Sequence, residues 1–113
     1  MDCLFCGIVA GEIPADILFE NDTLMAFRDV APQAPTHILI IPKKHIKSIH
    51  HATPEDEALL GQLILAARNI AIQEGLGEAG YRLVFNTHDA GGQTVHHIHL
   101  HLLGGRQMTW PPG

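Results

Sequence analysis

The stretch Val95-His96-His97-Ile98-His99-Leu100-His101-Leu102-Leu103 constrains this chain more than any other. Read with a period of two, Val95, His97, His99, His101 and Leu103 share one face, and His96, Ile98, Leu100 and Leu102 share the other. Same-face neighbours on a strand sit about 6.5–7 Å apart, whereas a helix would scatter these imidazoles around its girdle. The whole stretch is therefore predicted to be a β-strand with three imidazoles along one side and Ile98, Leu100 and Leu102 anchored in a core. His96 falls on the core side, where burial would require a hydrogen-bond partner. Imidazole acts as nucleophile, proton carrier or metal ligand near neutral pH. Three of them at alternate positions would each need a separate partner if they were merely structural, so the pattern reads as a functional site.

The remaining periodicities supply the rest of a sheet. Leu4 to Val9 predicts a short helix or turn. Ile17–Glu20 and Thr23–Arg28 read as a hairpin around Asn21-Asp22, residue types that tolerate tight-turn geometry. His37–Ile41 is nearly all apolar and is expected at the centre of the sheet, with Pro42 ending it. Lys44 to His51 has room for a helical turn. Thr53-Pro54-Glu55-Asp56 is a helix start, with Thr as cap, Pro in the first turn and acids after it. Leu60, Leu63, Ile64, Ala67, Ile70 and Ala71 give the helix one apolar stripe. Gly75-Leu76-Gly77 stops it. Tyr81–Asn86 is a fourth strand, and His88 to Thr94 loops into the histidine strand. The expected fold is α+β: a single domain over residues 1–113, with a five-stranded, mostly antiparallel sheet, one long helix and a short one.

A chain of 113 residues is long enough to bury its own core. A net charge of −5 argues against nucleic acid as a partner. The one basic cluster, Lys43, Lys44 and Lys47, is expected in a solvated turn. No apolar run reaches membrane-spanning length, and Asp2 stands where a secretory signal would carry positive charge, so a cytoplasmic location is expected. Cys3 and Cys6, spaced C-x-x-C, read as a metal half-site, a redox pair or two buried thiols. A tetrahedral zinc site needs two further ligands, for which His45 and a histidine of the strand are available.

The three histidines admit a metal-binding reading and a nucleophilic one. Gly91-Gly92-Gln93-Thr94, just upstream, offers backbone N–H groups and a hydroxyl where a phosphate can rest, which favours an imidazole attacking phosphorus. His97-Ile98-His99-Leu100-His101-Leu102-Leu103 fits the His-φ-His-φ-His-φ-φ motif of the histidine triad superfamily. The likeness extends through Ala26-Phe27-Arg28-Asp29, Pro32–His37, Pro42-Lys43-Lys44-His45-Ile46, Gly91-Gly92-Gln93, Gly104–Met108 and Trp110-Pro111-Pro112-Gly113. The chain resembles the nucleotide-binding branch of that superfamily, homodimeric purine nucleoside phosphoramidases whose sheet extends across the dimer.

The resemblance implies a role for each matching residue. His99 would attack the α-phosphorus of an adenosine or guanosine 5′-phosphoramidate, its other nitrogen donating to the carbonyl of His97. His101 and His37 would contact phosphate oxygens or the leaving side, and Gly92 and Thr94 would add hydrogen bonds, Thr94 replacing the usual serine. Asp29 would accept from both ribose hydroxyls. Leu4, Phe5, Phe27 and Val30 would sandwich the purine, with Asn86 near phosphate and sugar and Trp110 reaching the partner's site. Catalysis would need no cofactor. A structural zinc on Cys3, Cys6, His45 and His97 is implied by some relatives, and other relatives work without it. His50, His51 and His88 read as solvent-exposed. Two other functions compete: hydrolysis of dinucleoside polyphosphates, disfavoured by the Trp110-Pro111-Pro112-Gly113 tail, and a non-catalytic nucleotide-binding module. A nucleotidyltransferase would carry Gln in place of His101.

Overall fold

The computed structural model describes residues 3–113. A short helix, α1 (Leu4–Val9), precedes a hairpin of β1 (Ile17–Glu20) and β2 (Leu24–Arg28), and then β3 (Thr36–Pro42). Two 3-10 turns, Ile49–His51 and Pro54–Asp56, lead into the long helix α2 (Glu57–Gln73), followed by β4 (Tyr81–Phe85) and β5 (Leu100–Gly104). The strands form one sheet in the order β1-β2-β3-β5-β4, each neighbouring pair antiparallel. The α+β class, the five strands and the long and short helices match the sequence expectation, and β3 is central.

Local chemistry sets the boundaries. Asn21 Oδ1 accepts the N–H groups of Thr23 (3.0 Å) and Leu24 (2.8 Å), and the Asn21 N–H donates to the Leu24 carbonyl (3.0 Å), so side chain and backbone close the hairpin together. The start of the long helix differs from expectation, because its first turn is 3-10 rather than α. Asp56 donates its N–H to the Thr53 carbonyl at 2.8 Å while its carboxylate takes the Thr53 N–H at 3.0 Å and Lys44 Nζ at 2.6 Å. Those contacts hold the tighter winding. At the far end Gly75, at φ +78°, lets the Leu76 N–H reach the Ala71 carbonyl at 2.8 Å. The lysine cluster also departs from a simple solvated turn: Lys43 pairs with Glu20 at 2.7 Å and Lys44 with Asp56.

Alternation divides the core in two. β3 sends Ile38 and Ile40 towards α2, where they meet Leu63, Ala67, Ile70, Leu100 and Leu102. Leu39 and Ile41 point the other way, to Met25, Phe27 and the α1 residues Phe5 and Ile8. Each such fully buried aliphatic side chain contributes about 1.5–3 kcal/mol before chain entropy is subtracted. Ile64 was expected on the buried stripe but is 45% exposed, one residue round from Leu63, and Leu65 and Ile72 also face outward.

The histidine stretch is the main correction. Only Leu100–Gly104 is ladder strand, and residues 95–99 are irregular. Pairing with β3 begins at Ile40↔Leu100. Beyond it β3 reaches Pro42, which has no N–H to extend a ladder. The Ile98 N–H instead donates to the Ile46 carbonyl at 2.7 Å. The two-faced pattern survives without the ladder, with Ile98 joining the α2 core and Val95 packing on the α1 side. His96 is exposed and needs no buried partner.

Candidate active site

The histidines collect on the α1 face of the sheet, and their hydrogen bonds dictate which nitrogens carry protons. A carbonyl only accepts, so His97 Nε2 donates to the Pro42 carbonyl (2.8 Å) and His99 Nδ1 donates to the His97 carbonyl (2.8 Å). In the neutral rings this leaves lone pairs on His97 Nδ1 and His99 Nε2. His37 Nδ1 accepts the Gln33 N–H at 3.0 Å, so its Nε2 carries a proton and donates to His101 Nδ1 at 2.9 Å. His101 must then be protonated on Nε2. That atom is buried and has no protein partner. Because His97 Nδ1 faces Cys3 and His45, the arrangement presents one free lone pair, on His99, and one unspent donor, on His101.

Burial keeps these rings neutral. Desolvation lowers the proton affinity of His37, His97 and His99 below the ordinary imidazole value. For His99 the bond to the His97 carbonyl and the charge of Asp29 oppose that effect. His101 falls to about 4, through desolvation first and then its neighbours His99 and His37. An unprotonated His99 is the form that can attack an electrophile.

His99, His101 and Thr94 line a cavity of about 380 Å³, within the usual range for small-molecule sites. Its walls are Leu4, Phe5, Ile8, Ile13, Phe27 and Leu39, with Asp29 and Val30 at the rim. Phe5 meets His99 edge-on at 5.0 Å between ring centres and Phe27 at 5.5 Å. Val30 is 98% exposed, so it is no part of the core. Asp29 Oδ1 accepts the Ala31 N–H at 2.8 Å, and Oδ2 lies 3.4 Å from His37 Nε2. Asn86, Gly92 and Trp110 are not among the lining residues. The Gly92 N–H is already spent on the Asp89 carbonyl (3.0 Å), and Trp110 is 82% exposed rather than packed on its own chain.

Behind the triad, Cys3 Sγ, Cys6 Sγ, His45 Nδ1 and His97 Nδ1 all lie within 4.8 Å of one another. Recorded separations are 3.3 Å for Cys3–His97, 3.3 Å for Cys6–His45, 3.6 Å for Cys6–His97 and 3.1 Å for His45–His97. Tetrahedral zinc with Zn–N of about 2.05 Å and Zn–S of about 2.3 Å requires edges of about 3.3–3.8 Å. The donor set fits the ion, and the His97 lone pair points into it. Without a cation the Cys6 thiol is pushed up to about 11, by burial first and by the adjacent Cys3 second. Asp29, His37 and His101 form a second close group. His37 is unsuited to ligation there, because a metal on Nε2 would force a proton onto Nδ1, against the Gln33 N–H.

One residue of the site had no specific expectation attached to it. Gln93 is 5% exposed, and its amide is fully used. Nε2 donates to the Lys47 (2.7 Å) and Val95 (3.1 Å) carbonyls, and Oε1 accepts the His88 N–H (2.9 Å). It braces the backbone two residues before His97. Gly91 is required beside it, since a Cβ there would sit 2.3 Å from the Thr87 carbonyl oxygen.

Comparison with known proteins places the chain in a family. The HIT domain model matches residues 10–108. An uncharacterized HIT-like protein of Synechococcus elongatus is 61% identical over 112 residues, spanning 99% of this chain and 97% of its own. The crystal structure of a HIT family hydrolase from Legionella pneumophila superposes with a TM-score of 0.98 at 61% identity, covering 99% of this chain and 100% of that one. A histidine triad nucleotide-binding protein from Candida albicans superposes at 0.84 with 30% identity, covering 97% and 83% respectively.

Proposed function

This chain belongs to the HIT domain family, and from that premise we propose that it is a purine nucleoside phosphoramidase, cleaving the P–N bond of adenosine or guanosine 5′-phosphoramidates to release AMP or GMP. The observation that carries this reading is the His99 ring, tethered through Nδ1–H to the His97 carbonyl at 2.8 Å, with Nε2 free at a cavity walled by Phe5 and Phe27. Hydrolase and nucleotide-binding proteins among the structural relatives support it at the coarser level.

In the proposed reaction the purine occupies the slot of Leu4, Phe5, Phe27 and Val30, and the Asp29 carboxylate accepts from the ribose hydroxyls. His99 Nε2 attacks the α-phosphorus. An N–P bond forms, the bond to the leaving amine breaks, and the departing nitrogen keeps the electron pair and takes a proton through the Thr94 hydroxyl. The nucleotidyl-imidazolium is stabilised by the His97 carbonyl and the nearby Asp29 charge. His101 Nε2–H donates to a phosphoryl oxygen as charge grows there, and His37 holds His101 in that tautomer. Water then attacks phosphorus, its proton restores the Thr94 hydroxyl, and the O–P bond that forms displaces neutral His99.

No cofactor takes part in these steps. We assign a structural zinc to Cys3, Cys6, His45 and His97, where four protein ligands leave no open position for substrate. When bound, zinc supplies a cross-link that holds His97, and so the carbonyl to which His99 is tied. Elemental analysis of purified protein should find one zinc, absent after Cys3→Ser/Cys6→Ser. Free thiols at these positions suit the reducing cytoplasm, the location we assign.

We also assign a homodimer with the sheet continued across β4, an edge strand in this chain. The exposed apolar residues Ile64, Leu65 and Ile72 of α2 and the uncovered Trp110 support it. Sedimentation at micromolar concentration should give twice the chain mass. Trp110, uncovered in its own chain, then reaches the partner's site.

Incubation with an adenosine 5′-phosphoramidate and assay of AMP tests the activity. Wild type should release AMP, and His99→Ala should not. Release surviving the substitution would remove His99 from its role. Tight AMP binding with no release from wild type would make the chain a binding module.

A further inference from the structure

Four of the nine histidines, His50, His51, His88 and His96, stand outside the triad with its partner His37 and outside the cysteine site. Three of them converge. The ring centres of His50 and His88 lie 5.2 Å apart, those of His51 and His88 5.6 Å, and those of His50 and His51 5.9 Å. The rings come from two segments far apart in sequence, the 3-10 turn at Ile49–His51 and the loop after β4. Mutual contact of three imidazoles repels as soon as any two are protonated, so the cluster needs a compensating reason.

We propose that His50, His51 and His88 form a second divalent transition-metal site, of three imidazoles with solvent in the remaining position. With a metal–nitrogen bond of about 2.1 Å and about 1.1 Å more to the ring centre, imidazoles on a tetrahedral ion have centres about 5.3 Å apart. The three observed separations bracket that value closely. Their ring nitrogens do not yet converge within 4.8 Å as those of the cysteine site do. Ring rotation completes the site: His50 and His88 are exposed and their rings are free to turn towards His51, which Ser48 holds.

The surroundings are built rather than incidental. Ser48, 1% exposed, places its Oγ 2.6 Å from His51 Nδ1. With that nitrogen hydrogen-bonded to a buried hydroxyl, Nε2 is left for the metal, the orientation that an outer-sphere partner imposes on a ligating histidine. His88 takes the left-handed conformation, φ 60°, uncommon for a residue with a Cβ. Gln93 holds that conformation by accepting the His88 N–H, and the same amide ties in the Lys47 carbonyl beside the histidine turn. Desolvation first, and then the neighbouring His88 and Lys47, weaken His51 as a base. Asp89, next after His88, offers a carboxylate of opposite sign. Imidazole-only ligation with this charge balance suits zinc, nickel or cobalt rather than magnesium or calcium.

Titration with Co²⁺, followed by visible absorption and calorimetry, tests the proposal. Cobalt bound by Cys3 and Cys6 gives thiolate charge-transfer bands, whereas cobalt on imidazoles gives ligand-field bands alone. Wild type should bind an equivalent of the second kind, and Cys3→Ser/Cys6→Ser should retain it. His50→Ala/His88→Ala should abolish it, and Ser48→Ala should weaken it by about tenfold, the usual cost of losing an outer-sphere partner. Absence of the imidazole-only equivalent from wild type, its survival in the double histidine variant, or unchanged affinity in Ser48→Ala would overturn the assignment.

Discussion

Replacing Gln93 by Leu tests whether the site is held from behind as described. The change keeps the volume close to native and removes three hydrogen bonds, to His88 N–H, Lys47 O and Val95 O. At a net of about 1 kcal/mol each, the loss is about 3 kcal/mol, reduced slightly by the apolar side chain that replaces the amide. For a domain of this size that corresponds to a fall in Tm of about 8–12 °C. Gln93→Glu is the more informative partner. It is isosteric and can still accept from His88, but it sets a carboxylate against two carbonyl oxygens. It should cost at least as much as Leu at pH 7 and recover part of the loss once protonated. Urea unfolding at two pH values reads both effects. A Leu variant within about 0.5 kcal/mol of wild type, the ordinary range for inconsequential surface changes, would refute the bracing role.

Other outcomes follow from the same geometry. Gly61 sits in α2 with nothing within 4 Å of a Cβ, so Gly61→Ala should stabilise by about 0.8–1 kcal/mol in urea unfolding. His37, His97, His99 and His101 all have lowered folded-state proton affinities. Below the unfolded-state value, about 6.5, the unfolded chain therefore binds more protons, and stability should fall from there down to about 4, where His101 titrates. A stability curve flat across that window would contradict the neutral cluster. kcat/KM for phosphoramidate hydrolysis should likewise have its acid limb below 6.5. Nitrogen-15 spectra at pH 7 should find the proton on Nδ1 of His99 and on Nε2 of His37, His97 and His101, and any other pattern would break the chain of donors.

Much of the fold was legible because its signals are local. Asn21 closes its hairpin through N–H groups two and three residues away, and Gly75 ends α2 within its own turn. The apolar run of β3 announced a strand buried on both faces. The extent of the histidine strand was not legible, since it depends on where β3 stops and on Ile98 bonding to Ile46. Alternation still placed Val95, His97, Ile98 and His99 on their expected faces, and it failed at His96, which lies in a bend and is exposed. The tautomers of His37 and His101 and the brace at Gln93 were out of reach for a different reason. Gln93 binds Lys47 across 46 residues, and His37 meets His101 across 64. Nothing in the composition near either residue marks such a pairing. His50, His51 and His88 looked like separate exposed side chains because only the tertiary fold brings their rings together.

The central claim is that His99 Nε2 is the nucleophile. Rapid quenching of the reaction with adenosine 5′-phosphoramidate, followed by peptide mass mapping, tests it most directly. The account predicts an adenylyl group on the peptide at His99, formed before free AMP reaches its steady rate and absent from His99→Ala. An adenylyl group on another residue, or AMP formed at full rate with no covalent species on the enzyme, would contradict it.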